Sequence, residues 1–427
     1  MKQMKEKKTN QNTIFVQIAS YRDPQLVSTL EDLINKAQYP ENLRIGIAWQ
    51  HSIEDKWDNL DKYFKDLRFN IIDIPHDQSQ GVCWARNRVQ SLYNNEKYTL
   101  QLDSHHRFIN NWDTELINML IELQNKGYKK PLLTSYIPSF DPDNDPAARI
   151  QEPWKMNFDR FIPEGAVFFL PAAFDMNDDK TQPLPGRFYS AHFAFTMGLF
   201  CKEVPHDPNY YFHGEEISIA VRAFTHGYDI FHPHKVLAWH EYTRKGRSKQ
   251  WDDDKIWIDR NNKSHLRNRK LFGIDGEKQD IDFQQYNFGT VRTLQDYELY
   301  SGICFSKRAI TKRVKENKPP PDPTTSGLDY SEFQQYLMSI FKHCIDIQYG
   351  QVPENDYDFW AVAFKDEYNK DLYRQDADRE EIIKMKNDPD GYCKIWREFQ
   401  TDKKPHSWIV WPHSISKGWS DPIVGYL

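Results

Sequence analysis

The chain lacks several features that would settle its class at once. Its five cysteines, Cys83, Cys201, Cys304, Cys344 and Cys393, are odd in number and far apart, and none forms a CxxC pair. With no secretory leader ahead of them they read as separate thiols in a reducing compartment. No hydrophobic run is long enough to cross a bilayer. The polar start MKQMKEKKTNQNT leads only into the strand-like residues Ile14 to Ile18, too short for a signal core or a span, so a cytoplasmic protein is expected. Positive charge is not in excess: 56 basic residues face 62 acidic ones, a net charge of −6. A global field for nucleic acid or an anionic membrane is thereby excluded, and a phosphate-bearing ligand must be met by a local site. Neither GxGxxG nor GxxxxGK[ST] occurs, which disfavours a Rossmann dinucleotide site and a P-loop. Hydrophobic residues make up only 39%, yet 13 Trp, 23 Tyr and 26 Phe supply large buried areas, so a disordered chain is ruled out. The 427 residues suggest two to three domains at about 150 residues each.

From Thr13 to about Leu133, short apolar runs (Ile14–Ile18, Leu43–Trp49, Phe69–Ile74, Tyr98–Leu102, Leu132–Tyr136) alternate with helix-period segments. This is the pattern of a largely parallel sheet covered by helices, whose ligands sit beyond the carboxyl ends of the strands. The first helix is expected to have Asp23 as N-cap and Pro24 in its first turn, with Leu26, Leu30, Leu33 and Ala37 on its inner face. A second opens near Gly81, and a third carries Trp112, Leu116, Leu120 and Leu123. Strand-like runs follow at Ala166–Ala173 and His192–Phe200. A helix then begins after Gly214, with Gly227 as its C′ residue, and Tyr228–Phe231 and Val236–His240 read as closing strands. Residues 242–254 have no apolar period and read as a mobile charged loop. Three successive prolines within Lys315 to Gly327 mark a stiff linker. The last 100 or so residues, with FWAVAF and SWIVWP, read as aromatic and β-rich.

The chemistry concentrates in YTLQLDSHHRFINNW. A strand ends at Asp103, and alternation places Asp103 and His105 on one side of the extended segment, where both can hold one divalent cation. The closing strand KVLAWHEY offers His240 as a third ligand. An Asp, His, His set suits a manganese-type ion. His213, His226, His232 and His234 read as satisfied or surface histidines. In YYFHGEEISIAVRAFTHG, Glu215 and Glu216 occupy a first helical turn, which the dipole favours, and they could also contact a sugar or an acceptor. In HDQSQGVCWARNRVQ, Arg86 lies one turn into a Gly-led helix, where it reads equally as a diphosphate ligand or an ion-pair partner.

Taken together, IASYRDPQLVSTL, GVCWARN, LQLDSHHRF with Trp112 and Asp113, HGEEISIAVRAFTHGYDIF and WHEYTR occur in an order and spacing that closely resembles a GlcNAc-transferase family. That family is typified by cytoplasmic enzymes adding α-linked N-acetylglucosamine to hydroxyproline, and the resemblance covers about residues 13–312. The chain is similar, more distantly, to the polypeptide GalNAc transferases. The resemblance implies an α/β GT-A nucleotide-sugar-binding fold with a mixed, mainly parallel sheet, to which the composition adds a smaller β-rich C-terminal domain that the resemblance does not cover. The expected division is a polar tail (1–12), a transferase domain (13–314), a linker (315–327) and an accessory domain (328–427). It further implies a UDP-sugar donor and Mn²⁺ or Mg²⁺ held by Asp103, His105 and His240. Ala19, Ser20, Tyr21 and Arg22 would flank the uridine, Arg86, Asp103 and Ser104 the nucleotide, and Arg244 and Arg247, with Lys245, would belong to a lid over the diphosphate. Glu215 and Glu216, with Arg86, would be the catalytic side chains.

The function that follows is metal-dependent, retaining transfer of a sugar, N-acetylglucosamine by resemblance, to a hydroxyl acceptor: protein hydroxyproline, Ser or Thr, or a saccharide. One alternative is a capsule or surface-polysaccharide transferase using another UDP-hexose. Others, of a different class, are a metal-dependent phosphohydrolase and a non-catalytic carbohydrate-binding protein. No nucleic-acid partner is expected.

Overall fold

The computed structural model describes residues 12–243, 246–321, 329–387, 390–401 and 403–427. Its first half is built on strands β1 (Ile14–Tyr21), β2 (Leu43–His51), β3 (Phe69–Pro75) and β4 (Tyr98–Leu102), all mutually parallel, with helices α1 (Leu26–Lys36) and α2 (Val82–Gln90) between them. Alternation along β1 divides its side chains between two cores. Ile14, Val16 and Ile18 pack under α1, with Leu26, Leu30 and Leu33, and under α3 (Trp112–Asn125), with Trp112, Leu116 and Leu120. Phe15 faces α2, with Ala85 and Val89. Each such buried side chain contributes about 1.5–3 kcal/mol relative to exposure, and this two-sided burial is why the strand reads as an apolar run without a polar face.

The chain continues through β5 (His106–Phe108), part of a separate ribbon, β6 (Pro131–Thr134), the separate hairpin of β7 (Trp154–Phe161) and β8 (Val167–Ala173), then β9 (Leu184–Pro185), β10 (Phe193–Met197) and β11 (Asp229–His232). The eight strands lie in the order β3-β2-β1-β4-β10-β6-β11-β9, with β10 antiparallel to β4 and β6, and β9 antiparallel to β11. Helices α4 (Phe200–Glu203) and α5 (Glu215–Thr225) follow β10. β12 (Ala238–His240) pairs antiparallel with β5, setting His240 opposite His106. Beyond it lie α6 (Gln250–Asp253) and α7 (Trp257–Phe272).

The C-terminal strands are β13 (Ile303–Cys304), β14 (Ala309–Thr311), β15 (Leu337–Gln348), β16 (Tyr357–Lys365), β17 (Asp371–Arg374), β18 (Ala377–Asp378), β19 (Tyr392–Gln400), β20 (Ser407–Ser414), β21 (Gly418–Trp419) and β22 (Ile423–Tyr426). They form two sheets, β13-β14-β15-β19 and a six-stranded one centred on β16 and β20, around a core that includes Ile345, Trp360, Val362, Phe364, Ile395 and Val410. β14 lies before the proline-rich stretch and pairs with β15 after it. The second part of that stretch, from Asp322 on, lies outside the described residues. No described helix is long and apolar enough to cross a membrane.

One local expectation is corrected. Asp23 is not the N-cap of α1 and Pro24 is not in its first turn: the helix begins at Leu26 and Gln25 occupies the cap position. Asp23 Oδ1 accepts the Gln25 N–H at 2.8 Å, while its other oxygen is drawn to Ser104 and His105.

Candidate functional site

Beyond the carboxyl ends of β1 and β4 opens a cavity of about 560 Å³. Asp103, His105 and His240 meet there, each offering a ligand atom within 4.8 Å of the others. His240 Nε2 lies 3.4 Å and His105 Nε2 3.7 Å from the same oxygen, Asp103 Oδ2. The parallel register of β1 and β4 brings the loop after β1 beside Asp103, and the β5–β12 ribbon carries His240 across to it.

Two glycines aim the carboxylates and the arginine. Gly81, at φ +114°, starts α2 hard against Tyr211, where a Cβ would come within 2.8 Å of the ring. One turn on, Arg86 is buried and donates through Nη1 to Glu215 Oε1 at 2.5 Å and through Nη2 to Asp103 Oδ1 at 2.7 Å. Gly214, at φ +90°, turns the chain into α5, so that Glu215 also accepts from Cys83 Sγ at 2.5 Å. Burial pushes the Cys83 thiol well above its ordinary value. At Asp103 burial acts to raise the carboxyl, but Arg86, His240 and His105 overcome it and hold the group well below the usual range. Arg86 thus bridges two carboxylates and lines the cavity.

Glu216 lines the cavity beside Glu215 and accepts from Tyr136 Oη at 2.7 Å and from the Ala191 N–H at 2.9 Å. Burial raises it to about 7, more than these two bonds lower it. Of the four residues expected around a uridine, Ala19 and Tyr21 line the cavity. Ser20 is fully buried, and Arg22 turns to Asp55 at 2.7 Å and Asp253 at 3.0 Å. Ser104 lines the cavity and donates to Asp23 at 2.7 Å.

The 242–254 segment was expected to be a mobile charged loop. Arg244 and Lys245 lie outside the described residues, but the rest is anchored at the cavity. Arg247 donates to Asp23 Oδ2 at 3.0 Å and contacts His105 Nε2 at 2.8 Å. Asp253 accepts from Tyr21 Oη and Arg22. Partners distant in sequence, invisible to a periodicity argument, fix it.

The sequence reading passed over His192. It is buried on the cavity wall, stacked on His240 with ring centroids 4.2 Å apart and on Tyr136 at 5.1 Å, and burial pushes it down to about 3. Only its place at the head of a predicted strand hinted at it. His213, expected to be a satisfied or surface residue, instead lines the cavity between Phe168 and Phe212, each with its centroid 5.0 Å away. His232 is buried and satisfied through the Thr134 carbonyl at 2.8 Å, as expected.

The sequence matches the family Glycosyltransferase (GlcNAc) over residues 13–64 and 58–307. The chain belongs to that family. Its mixed eight-stranded α/β sheet is the GT-A architecture that the family resemblance implies. Among solved structures it is similar to GalNAc-T7 crystallised with UDP, GalNAc and Mn²⁺, at 14% identity and a TM-score of 0.43. That match covers 58% of this chain and 48%, about half, of the GalNAc-T7 chain. It is also similar to S. aureus TarS, at 9% identity, TM-score 0.37, over 97% of this chain and 77% of that one. A third similarity is to the Pyrobaculum calidifontis mannosyltransferase PcManGT in complex with GDP-Man and Mn²⁺, at 9% identity, TM-score 0.32, over 56% and 59% of the two chains. No curated protein sequence matches.

Proposed function

We propose that this family member is a metal-dependent, retaining glycosyltransferase moving N-acetylglucosamine from UDP-GlcNAc to a hydroxyl acceptor on a protein or a saccharide. The observation that carries the reading is the convergence of Asp103, His105 and His240 on one cavity at the strand ends in a chain whose family is defined by sugar transfer. One carboxylate and two imidazoles form a donor set suited to Mn²⁺. His240 Nε2 faces the Asp103 oxygen at 3.4 Å, and its Nδ1 is buried without a hydrogen-bond partner among the described residues. A divalent ion, when bound, supplies neutralisation of the charge gathering on a nucleoside diphosphate leaving group.

The protein's own residues do the rest. Arg86 and its counter-carboxylate Glu215 hold Asp103 in place and ionised, so they are positioning residues. Ala19 and Tyr21 offer a wall for the uridine, and Arg247 and Lys249 bring positive charge to the cavity edge, where they would stabilise the departing diphosphate and exclude water. Glu216, protonated over much of the neutral range, can donate to a sugar hydroxyl. Glu215 is turned to Arg86 and Cys83, and Glu216 to Tyr136 and Ala191. Neither stands free as a covalent nucleophile, which supports displacement on one face of the donor. A cytoplasmic location belongs to the same proposal and is supported by five cysteines that are all free thiols.

The test is a panel of UDP-sugars with Mn²⁺, scored by UDP release and thermal shift, with Asp103→Ala as control. UDP-GlcNAc should give the largest signal in both readouts and the variant none. A parent that neither turns over nor is stabilised by any UDP-sugar ends the proposal.

A further inference from the structure

Asp23 is a buried carboxylate, 2% exposed, at a place where burying one is costly unless every oxygen is used. Oδ1 accepts the backbone N–H of Gln25, a local task at the entry to α1. Oδ2 is shared by three groups from two distant segments: Ser104 Oγ at 2.7 Å, His105 Nδ1 at 2.7 Å and Arg247 Nη1 at 3.0 Å. The meeting is imposed by the sheet. β1 and β4 run parallel with Ile18 opposite Leu102, so the first residues past each strand end are neighbours although 82 positions separate Asp23 from His105.

A neutral imidazole carries one ring proton, and a nitrogen hydrogen-bonded to a carboxylate keeps it. With Nδ1–H donated to Asp23, the lone pair of His105 is left on Nε2, the atom that faces Asp103 Oδ2 and that Arg247, which touches both ring nitrogens, also meets at 2.8 Å. We infer that Asp23 is a positioning residue for the metal cluster, fixing the tautomer and ring orientation of His105 so that Nε2 is presented beside Asp103 and His240. The inference rests on the proposed metal role of those three residues and adds a fourth that touches neither metal nor substrate. Carboxylate partners of this kind behind a ligating histidine are worth about 10–100-fold in metal affinity. Because the task at α1 uses the other oxygen, loss of Oδ2 should weaken metal binding more than it weakens the fold.

Two measurements test this. In parent protein labelled with ¹⁵N-histidine, metal-free and in alkaline buffer, His105 should show the Nδ1–H tautomer; an Nε2–H signature overturns the inference whatever any variant does. Calorimetric titration with Mn²⁺ alone should show binding by the parent, none by Asp103→Ala, and binding weakened about 10–100-fold in Asp23→Asn, which keeps Oδ1 for the Gln25 N–H and puts a donor in place of Oδ2. If Asp23→Asn binds Mn²⁺ as tightly as the parent while Asp103→Ala does not, the role of Asp23 is refuted and the metal cluster stands. If the parent binds no Mn²⁺, the cluster reading falls and the inference with it.

Discussion

The rim of the eight-stranded sheet and the C-terminal strands use charged and aromatic residues in opposite ways. At the rim, charges turn inward: the Arg86, Glu215 and Asp23 side chains are each less than a tenth exposed, and they are joined through Asp103, His105 and Arg247. In the C-terminal sheets most ion pairs sit outside, as Lys365 with Asp371, Arg374 with Asp376 and Lys417 with Glu354. The interior there is apolar and aromatic, around Trp360, Phe364 and Phe399, with Arg397 and Glu381 as an inward exception. A buried network of charges is a poor stabilising device, because desolvation offsets most of the attraction. Its concentration around one cavity therefore marks a place shaped for binding, while the C-terminal core is shaped for packing.

The sharpest way to break this contrast is a matched pair of large perturbations. Arg86→Met leaves Asp103 and Glu215 without their common cation and should cost about 3–5 kcal/mol in urea unfolding while abolishing UDP-dependent stabilisation. Trp360→Ala empties a fully buried C-terminal site and should cost about 3–5 kcal/mol as well, yet leave affinity for UDP close to that of the parent. Equal losses of nucleotide binding in the two variants would erase the distinction.

A smaller effect is the pH dependence at Glu216. Its carboxyl is raised from the ordinary value to about 7 in the folded chain, so between about pH 5 and 7 the folded state holds a proton that the unfolded state has released. Stability should fall as pH rises through that window, by about 1–3 kcal/mol. Glu216→Gln should remove this component, and a slope unchanged by the substitution would contradict the assignment. The smallest effect is expected at the surface of the C-terminal sheets, where Arg374→Ala should change stability by about 0.5 kcal/mol and lose even that at high salt. A cost there approaching that of Arg86→Met would show that charge is used alike in both regions.

What could be read from the sequence divides along similar lines. The strand leading to Asp103 was legible because Tyr98, Leu100 and Leu102 alternate along it, and the break to Asp, Ser, His, His is abrupt. The helices α1, α3 and α5 were legible from their spacing. The position of Asp23 beside His105, the stacking of His192 on His240 and the bridge from Arg86 to Glu215 were not. Each depends on which strands are neighbours and in which register, a property of the whole sheet rather than of any window of residues. β10, which runs against its neighbours and brings His192 to the wall, is the clearest case, since no local signal distinguishes an antiparallel insertion from another parallel strand.

The pairing of β14 with β15 across the proline-rich stretch bears on how the chain can be divided for experiment. A fragment ending in that stretch would keep β14 but strip away its partner, leaving a row of unpaired backbone donors and acceptors that invites association with another copy. It would also uncover the hairpin of β7 and β8, where Asp159 holds Lys342 and Arg160 lies between the rings of Phe168 and Trp396. Phe168 is part of the cavity wall. Cutting at the prolines would thus expose a sticky edge and loosen one side of the binding site in a single stroke.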